Sequence, residues 1–367
     1  MASLRERVGQ LFMLGFTGTA VTPEVAELLA TCKPGGVILF SRNLESVEQI
    51  VALTNDLERR APRPPLLVAI DQEGGRVCRL PAEFTIFPAC RRLARCESSE
   101  LAYAAAAVTA AELRAVGITM NMAPVLDVDT NPANPIIGDR SFGGDPELVC
   151  ELGLATVFGL QNGRVVACGK HFPGHGDTAA DSHLALPVVA APRERLEGVE
   201  LRPFRAAVAR GLAAVMTAHV LYPALDEKLP ATLSPAILTG LLRQGMTFDG
   251  LVLTDDLEMR AITDHYGVGE AAVRAIQAGA DILLVCKDRD RAVAAVEAVE
   301  RAVTDGAVPE ARIEDSLRRI ARVKERFLLP YRPADLVAAR AIVGSRTHRA
   351  LRDQVLRACE RRAPDQA

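Results

Sequence analysis

Eight short apolar segments, rich in β-branched residues, alternate along the chain with longer segments of helical character. Buried parallel strands have such near-continuous apolar sequences. Eight of them alternating with helices are typical of a (β/α)8 barrel. The sequence therefore predicts an α/β protein with a TIM-type barrel. The predicted strands are Gln10–Phe16, Gly36–Phe40, Leu66–Asp71, Ile118–Met122, Val165–Lys170, Ala213–His219, Leu251–Asp255 and Asp281–Cys286.

A doubly wound open sheet is the alternative arrangement of alternating strands and helices. It favours a glycine-rich phosphate-binding turn after its first strand. Here Gly15-Phe16-Thr17-Gly18 does not continue as G-x-G-x-x-G, so the closed barrel is favoured. The predicted helices are Thr22–Cys32, Ser46–Arg60, Ser98–Val116, Pro146–Asn162, Glu194–Arg210, Ser234–Arg243 and Val268–Ala278.

The length of the chain, 367 residues, fits a single barrel with insertions. Pro330–Arg332 has the character of a boundary. We therefore expect a barrel domain over residues 1–330 and a helical extension over residues 331–367. Residues 332–367 carry eight Arg against four Asp or Glu, and a solvated helix face explains this excess better than a binding patch does.

Composition and charge exclude several classes of partner. Hydrophobic residues make up 49% of the chain and charged residues 24%, which is normal for a globular protein with a large core. The net charge of −3 gives no electrostatic basis for binding nucleic acid or an anionic membrane. No apolar stretch reaches the roughly 18 residues of a membrane helix. We therefore expect neither nucleic acid nor membrane as a partner.

The eight cysteines are scattered and form no C-x-x-C pair. Several of them, including Cys168 and Cys286, lie within apolar strand-like runs, where a thiol acts as a small hydrophobic group. The first residues run directly into charged, helix-like sequence and show no secretion signal. These observations predict reduced thiols and a cytoplasmic location.

Five successive predicted strands end in residues that form hydrogen bonds. The carboxyl ends of barrel strands meet at one mouth, where barrel enzymes have their active sites. The sequence therefore predicts a polar binding site built from all five ends. The residues at these ends are Asp71, then Asn121 and Asp127, then Lys170 and His171, then His219, and finally Asp255 and Asp256.

The loop after the fifth strand, residues 170–186, contains three of the six histidines. Such a concentration of titratable groups beside glycines is typical of a catalytic loop. A metal site is the competing interpretation, since His171 and His175 are four residues apart. Pro173 would disrupt an interior helical turn between them, and no H-x-H motif follows the first strand. We therefore expect no metal and no cofactor.

The set of side chains at the predicted mouth suits a carbohydrate. Sugar hydroxyls donate hydrogen bonds to carboxylates and accept them from Lys and Arg, so these residue types together can hold a sugar ring. Glycoside hydrolysis requires two carboxylates or their chemical equivalents on either side of the bond that breaks. The residues alone therefore indicate a barrel that binds a sugar and has acidic side chains beside the sugar-binding site.

The segment Lys170–Thr178, followed by Asp181-Ser182-His183 and Leu186-Pro187, resembles the signature of family 3 glycoside hydrolases of the NagZ-type β-N-acetylglucosaminidase branch. The Asp-Ser-His element separates this branch from other family 3 enzymes. The resemblance covers about residues 8–330. Five further motifs agree with it in order: Asp71–Arg76, Asn121–Asp127, Gly138–Gly143, Met216–His219 and Thr254–Met259.

The resemblance implies a role for each matching residue. Asp255 resembles the nucleophile that forms a covalent glycosyl-enzyme, His183 the general acid/base, and Asp181 the partner that orients His183. Asp256 is expected to turn away, because side chains alternate along a strand. The residues that resemble the sugar-binding set of the family are Asp71, Arg79, Arg140, Lys170 and His171.

Four of these positions carry a further expectation. Asp71 is expected to accept hydrogen bonds from hydroxyls, while Lys170 and His171 donate them. Pairing of Arg79 with Asp71 across the turn is the structural alternative. His175 and His219 are expected only to support the loop and the barrel end. The chain departs from the family pattern at Cys78 and at residues 258–261.

The resemblance implies a retaining exo-β-N-acetylglucosaminidase (a β-N-acetylhexosaminidase). Its expected substrate is a muropeptide-type disaccharide, GlcNAc-anhydroMurNAc with or without peptide, in peptidoglycan recycling. We expect a monomer or a weak homo-oligomer. A phosphorylase with a histidine acid/base and a β-glucosidase or β-xylosidase are the enzymatic alternatives. A silent sugar-binding sensor is the alternative outside enzymes, and it would have no need of a nucleophile.

Overall fold

The computed structural model describes residues 2–61, 65–182 and 184–361. In this part of the chain, eight parallel strands pair in sequence order, and the first also pairs with the last to close a barrel. The predicted (β/α)8 barrel is therefore confirmed, and the open sheet is excluded. The strands are β1 (Phe12–Leu14), β2 (Gly36–Leu39), β3 (Leu67–Ile70), β4 (Met120–Asn121), β5 (Val166–Phe172), β6 (Ala214–Thr217), β7 (Leu251–Asp256) and β8 (Ile282–Val285).

Helices surround the barrel and bury the outer faces of the strands. Successive residues of β3, Leu67 to Ile70, have no exposed surface, which explains why such strands are apolar throughout rather than alternating. The helices are α1 (Leu4–Gly9), α2 (Pro23–Cys32), α3 (Val47–Arg60), α4 (Cys90–Ala94), α5 (Ser99–Ala115), α6 (Pro146–Asn162), α7 (Arg193–Gly198), α8 (Arg202–Ala209), α9 (Arg260–Thr263), α10 (Val268–Ala278), α11 (Arg289–Thr304), α12 (Glu310–Leu328), α13 (Leu336–Ile342) and α14 (Arg346–Arg361).

Local sequence explains where several helices begin. The Ser98 hydroxyl accepts a hydrogen bond from the backbone N–H of Leu101 at the start of α5. Asp145 caps α6, which opens with a proline. Ser234 likewise accepts from the N–H of Ile237, at the start of a π-helical segment over Ala236–Gly245. Each cap satisfies an N–H that the helix itself leaves unpaired.

One predicted helix differs from the structure. Residues 194–210 form two short helices, α7 and α8, rather than one. The break lies just before Pro203, in the first turn of α8. A proline has no N–H to donate and is therefore favoured at the start of a helix and unfavourable in its interior.

The segment after α12 carries two helices that pack on the outside of the barrel. α13 contacts α3 and α5, and α14 contacts α4 and α5. The buried Glu112 carboxylate of α5 accepts hydrogen bonds from the N–H of Gly344 and lies 2.8 Å from Nδ1 of His348. These contacts agree with the expected helical extension outside the barrel. The division of the chain into two domains at residue 330 stays a prediction. Within the described ranges, no helix is long and apolar enough to cross a membrane.

A buried carboxylate joins the amino ends of the last two strands to α12. Asp281 has no exposed surface. It forms ion pairs with Arg243, Arg312 and Arg319 and accepts a hydrogen bond of 2.7 Å from the Ser316 hydroxyl. Removal of one partner from a buried ion network leaves the remaining charges without compensation.

We expect Asp281→Ala to lower the free energy of unfolding by about 3–5 kcal/mol, because three arginines lose their shared counter-charge. Asp249→Ala is the matched control: its carboxylate also pairs with Arg319 and with Arg322, but it is 63% exposed. The Asp249→Ala change should lower the free energy of unfolding by at most about 1 kcal/mol. Urea unfolding measures both values, and equal losses would contradict the role of burial.

Candidate active site

An open cavity of about 290 Å³ lies at the carboxyl ends of the strands. Residues at the ends of β3, β5 and β7 and in the loops that follow them line this cavity, which is the position of active sites in such barrels. The structure brings six of the predicted site residues to this one cavity: Asp71, Arg79, Arg140, Lys170, His171 and Asp255.

The other two predicted site residues belong to the loop after β5. The backbone carbonyl of Asp181 accepts hydrogen bonds from the N–H groups of Leu184 and Ala185, at 2.9 and 3.0 Å. His183 lies outside the described residues. Ser182, which separates the two, lines the cavity. The loop therefore reaches the cavity wall at this point, and the roles of Asp181 and His183 stay predictions.

A cluster of four charged side chains forms one wall of the cavity. The Lys170 Nζ atom lies 2.6 Å from Asp71 Oδ1 and 2.7 Å from Glu73 Oε1. Arg140 donates two hydrogen bonds, of 2.9 and 2.8 Å, to the two oxygens of Glu73. Glu73, with a side chain only 2% exposed, therefore joins the two cations, and we call this set the Glu73 cluster.

The charges within the Glu73 cluster keep Glu73 and Lys170 ionised. Burial raises the pKa of the Glu73 carboxyl, but the charges of Lys170 and Arg140 outweigh it and hold that pKa well below its usual range. Burial lowers the pKa of Lys170, while Asp71 and Glu73 raise it to a net value above the usual one. Fixed full charges at one wall are well suited to orient hydroxyl groups.

Arg79 lines the same cavity but does not join this cluster. Within the described part of the chain, Asp71 pairs with Lys170 rather than with Arg79, so the predicted alternative of an Asp71–Arg79 pair is not what the structure has. The Arg79 Nε–H is buried and has no hydrogen-bond partner among the described residues. The guanidinium therefore retains hydrogen-bonding capacity beside the cavity.

A second buried carboxylate, Asp127, fixes the loop that carries His171. Its Oδ1 atom accepts hydrogen bonds from the backbone N–H groups of His171 and His175, at 3.0 and 2.7 Å. Its Oδ2 atom lies 2.7 Å from His171 Nδ1. Burial raises the pKa of Asp127, and the neighbouring His171 lowers it to a net value below the usual one. Asp127 is therefore a negative charge held in the protein interior.

These contacts fix the orientation of the His171 ring. A carboxylate can only accept, so the Nδ1 atom of His171 donates a hydrogen bond to Asp127. The Nε2 atom lies 3.4 Å from Nη2 of Arg140. The sequence did not reveal the Asp127 partner, and the expectation that His171 donates a hydrogen bond to a sugar hydroxyl stays a prediction.

His175 connects the two ends of the loop after β5. Its Nδ1 atom lies 2.9 Å from the Thr178 hydroxyl, and its Nε2 atom lies 3.0 Å from the Ser182 hydroxyl. Burial and the neighbouring His171 lower the pKa of His175 to about 4, so it is neutral near pH 7. This arrangement agrees with the supporting role expected of it. His219 contacts the Thr232 hydroxyl and the backbone carbonyl of Asp256, which agrees with the support expected at the barrel end.

Asp255 lies at the end of β7 and lines the cavity. Its Oδ1 atom accepts a 2.8 Å hydrogen bond from the backbone N–H of Asp256. Burial raises the pKa of Asp255, but His219 and His171 lower it to a net value below the usual one. The carboxylate is therefore ionised at neutral pH, which is the form that can act as a nucleophile.

Asp256 also lines the cavity, its Oδ1 atom accepts a 3.1 Å hydrogen bond from the backbone N–H of Glu258, and the expectation that it turns away stays a prediction. The pairing of β7 with β8 shifts register between Leu253 and Asp256, and such an irregularity breaks the alternation of side chains along a strand. Burial raises the pKa of Asp256 to about 7. Two adjacent carboxyls therefore differ in charge, since Asp255 is ionised where Asp256 is still partly protonated.

Glu258 explains one departure from the family pattern. Its carboxylate accepts hydrogen bonds from the N–H groups of Cys286, Lys287 and Asp288, at 2.9, 2.6 and 3.1 Å. It therefore fastens the segment after β7 to the segment after β8. The sequence marks Glu258 as a departure from the family pattern. It does not indicate the contacts of Glu258, because nothing local shows which backbone N–H groups the carboxylate binds.

Glu73 is a residue of the site that the sequence did not assign to it, and Asp127 was predicted to lie at the mouth but without a role. Each lies inside a motif that was recognised, Asp71–Arg76 or Asn121–Asp127. The available signal was a carboxylate in a motif close to the end of a predicted strand. Their partners come from β5 and from the turn at Gly138–Arg140, and spacing along the chain does not reveal contacts over that separation.

A parallel barrel with a nucleophile-like carboxylate and a charged, polar cavity at the ends of its strands defines the class of barrel glycosidases. Residues 3–323 match the family model described as "Glycosyl hydrolase family 3 N terminal domain". This span is most of the chain. The protein therefore belongs to glycoside hydrolase family 3, and it is a glycoside hydrolase.

Individual relatives agree with this assignment. The chain is 40% identical over 286 residues to a Beta-hexosaminidase of Methylobacillus flagellatus, which covers 76% of this chain and 81% of the relative. The structure of a family 3 beta-N-acetylglucosaminidase from Paenibacillus sp. str. FPU-7 superposes with a TM-score of 0.90 at 45% identity, over 97% of this chain and 68% of that one.

The structure of NagZ from Neisseria gonorrhoeae in complex with N-trifluoroacetyl-D-glucosamine is also similar. It superposes with a TM-score of 0.77 at 33% identity. The match covers 95% of this chain and 98% of that one. Because this similarity extends over nearly the whole of both chains, it includes the entire barrel.

We expect Glu73→Gln to lower kcat/KM by roughly 10- to 100-fold, because Lys170 and Arg140 lose the charge that holds them in place. Asp139→Asn is the matched control, since Asp139 pairs with Arg76 at the same mouth but both side chains are 49% exposed. That change should leave kcat/KM within about 3-fold of the wild type. Steady-state kinetics on a chromogenic glycoside measures both, and circular dichroism checks that the fold is retained.

The buried neutral His175 predicts a dependence of stability on pH. The folded pKa of about 4 lies below the ordinary value of 6.5, so the unfolded chain binds this proton more tightly. The contribution of His175 to stability is therefore complete above pH 6.5 and is lost as the pH falls towards 4, by on the order of 3 kcal/mol.

His175→Gln isolates this contribution from groups that titrate in the same range, such as Asp256. The difference in unfolding free energy between wild type and variant should shrink as the pH falls from 7 to 4. Urea unfolding at several pH values measures it. A difference that is constant over this range would show that His175 does not titrate as described.

Proposed function

We propose that the protein is a retaining exo-β-N-acetylglucosaminidase that uses Asp255 as its nucleophile. The observation that carries this proposal is the ionised Asp255 carboxylate at the end of β7, facing a cavity whose opposite wall holds fixed charges. The names of the relatives support the choice of sugar. They are a Beta-hexosaminidase, a beta-N-acetylglucosaminidase, and a NagZ bound to an N-acylated glucosamine.

In the first step, an Asp255 oxygen attacks the anomeric carbon of the terminal sugar. The bond from that carbon to the aglycone oxygen breaks, and His183 gives its proton to the departing oxygen. Asp181 stabilises the imidazolium before this transfer and keeps the ring oriented. The product of the step is a covalent glycosyl-enzyme on Asp255 with neutral His183 beside it.

In the second step, a water molecule attacks the same carbon. His183 now takes a proton from the water, and the bond between the sugar and Asp255 breaks. The carboxylate and the protonated histidine are both regenerated. Because the anomeric carbon is inverted in each step, the released sugar retains the configuration of the substrate.

The Glu73 cluster would bind the hydroxyl groups of the terminal sugar. Asp71 accepts hydrogen bonds, Lys170 and Arg140 donate them, and the Nε2 atom of His171 provides a further polar contact. Arg79 adds a donor at the same cavity. Contacts that fix the ring in this way supply the orientation that an attack by Asp255 requires.

We propose that the biological substrate is a muropeptide-type disaccharide in peptidoglycan recycling, and that GlcNAc is the sugar released. A cytoplasmic location and a monomer or weak homo-oligomer belong to the same proposal. Similarity over 98% of the gonococcal NagZ chain supports this branch of the family over the β-glucosidases.

We expect Asp255→Ala to lower kcat on p-nitrophenyl β-N-acetylglucosaminide by at least roughly 1,000-fold, because no covalent intermediate can form. Asp264→Asn, at the exposed residue directly after α9, is the control and should be fully active. A faster release from the β-glucoside than from the N-acetylglucosaminide would contradict the proposed sugar. Turnover that requires phosphate and yields a sugar 1-phosphate would indicate a phosphorylase instead.

The proposed acid/base predicts a selective defect in His183→Ala. Aryl leaving groups of low pKa depart without protonation, whereas sugar leaving groups of high pKa need a proton. The variant should therefore lose much more kcat/KM on a disaccharide than on p-nitrophenyl or dinitrophenyl glycosides. A plot of log kcat/KM against leaving-group pKa tests this, and an unchanged slope would exclude His183 as the acid.

A further inference from the structure

Two cysteines that do not line the candidate active site lie in direct contact. The Sγ atoms of Cys96 and Cys359 are 2.6 Å apart, and both side chains are buried. The Cys96 Sγ atom also lies 3.6 Å from the backbone carbonyl of Val355, one turn earlier in α14. Cys96 lies just after α4, and Cys359 lies in the last turns of α14. The contact therefore joins positions 263 residues apart in sequence.

We propose that Cys96 and Cys359 are a redox modification site, at which an intramolecular disulfide forms and fastens α14 to the barrel. A disulfide requires two sulfur atoms that can meet without movement of the backbone, and here the two atoms already touch. The expectation of reduced thiols throughout the chain thus has one exception under oxidising conditions. This inference does not depend on the sugar that the enzyme accepts.

The reaction is a thiol–disulfide exchange with a low-molecular-weight disulfide such as oxidised glutathione. One thiolate of the pair attacks a sulfur of the oxidant, and a glutathione thiolate leaves. The second cysteine then attacks the protein sulfur of this mixed disulfide, and the second glutathione thiolate leaves. The two thiol protons are taken up by the departing thiolates. One oxidised glutathione becomes two reduced molecules, and the protein gains one S–S bond.

The position of the pair gives the bond a structural consequence. Cys96 and Cys359 belong to a hydrophobic cluster between α4, α5, α6 and α14 that also contains Val355 and Phe142. α4 contacts the turn Gly138–Arg140, which supplies Arg140 to the Glu73 cluster. A bond between Cys96 and Cys359 would therefore fix the outer layer that supports this turn.

Because both thiols are buried, the exchange requires a local opening of the structure. An oxidant reaches them only when α14 separates locally from α4 and α5, and a helix packed on the outside of the barrel opens at a lower free-energy cost than the core of the barrel. Once the bond has formed, it restricts the unfolded chain by closing a very long loop, so the oxidised form should be the more stable one.

The test uses the full chain equilibrated with either oxidised glutathione or dithiothreitol. The samples are then quenched with acid, unfolded and alkylated, and their masses are measured. The reduced protein should accept label on all eight cysteines, and the oxidised protein on two fewer. Digestion without reductant should give one cross-linked peptide pair that contains Cys96 and Cys359. Full labelling after oxidation, or a bond between other cysteines, would overturn the proposal.

Thermal unfolding separates the bond from other effects of oxidation. The oxidised wild type should melt roughly 5 °C or more above the reduced wild type. Cys359→Ser and Cys96→Ser should each lose this difference, and Cys150→Ser, on the partly exposed face of α6, should keep it. A difference that persists in Cys359→Ser would show that the stabilisation arises elsewhere and would overturn the proposed effect on α14. The labelling experiment uses only the wild-type protein, so its result does not depend on whether the variants fold.

Discussion

The Glu73 carboxylate is the constraint on which the geometry of the cavity depends. Lys170 in β5 and Arg140 in the turn after β4 both pair with this buried anion, at 2.7 and 2.8 Å. Without it, two neighbouring cations would repel each other in a poorly solvated place. With it, they become fixed donors beside Asp71. The closed barrel makes this possible, since it brings the ends of β3, β4 and β5 to one mouth.

The same buried environment gives adjacent groups different charges. Asp255 keeps a lowered pKa beside His219 and His171, while burial raises the pKa of Asp256 to about 7. Asp127 fixes the orientation of the His171 ring, and His175 stays neutral because its surroundings lower its pKa to about 4. The cavity thus presents the ionised Asp255 carboxylate together with a set of fixed hydroxyl-binding groups, and buried partners orient its histidines.

Much of the fold was predictable, because eight apolar strands and their helices leave a strong local pattern. The positions of Asp71, Lys170, His171 and Asp255 were also predictable, since the ends of barrel strands converge. The role of Glu73 was not, because its partners come from β5 and from a distant turn. The contacts of Asp256 were not predictable, because the register shift between β7 and β8 has no local sequence signal. The Cys96–Cys359 contact depends on how α14 docks, which no local pattern specifies.

The central claim is that Asp255 forms a covalent bond to the sugar, and trapping that bond is its most direct test. A fluorinated N-acetylglucosaminide with an activated leaving group should form the glycosyl-enzyme faster than the enzyme hydrolyses it. Digestion and mass spectrometry would then locate the modified residue. The account predicts one sugar per chain, attached at Asp255. A label on Asp256 or on any other residue, or turnover with no trapped intermediate and inversion of the product, would contradict it.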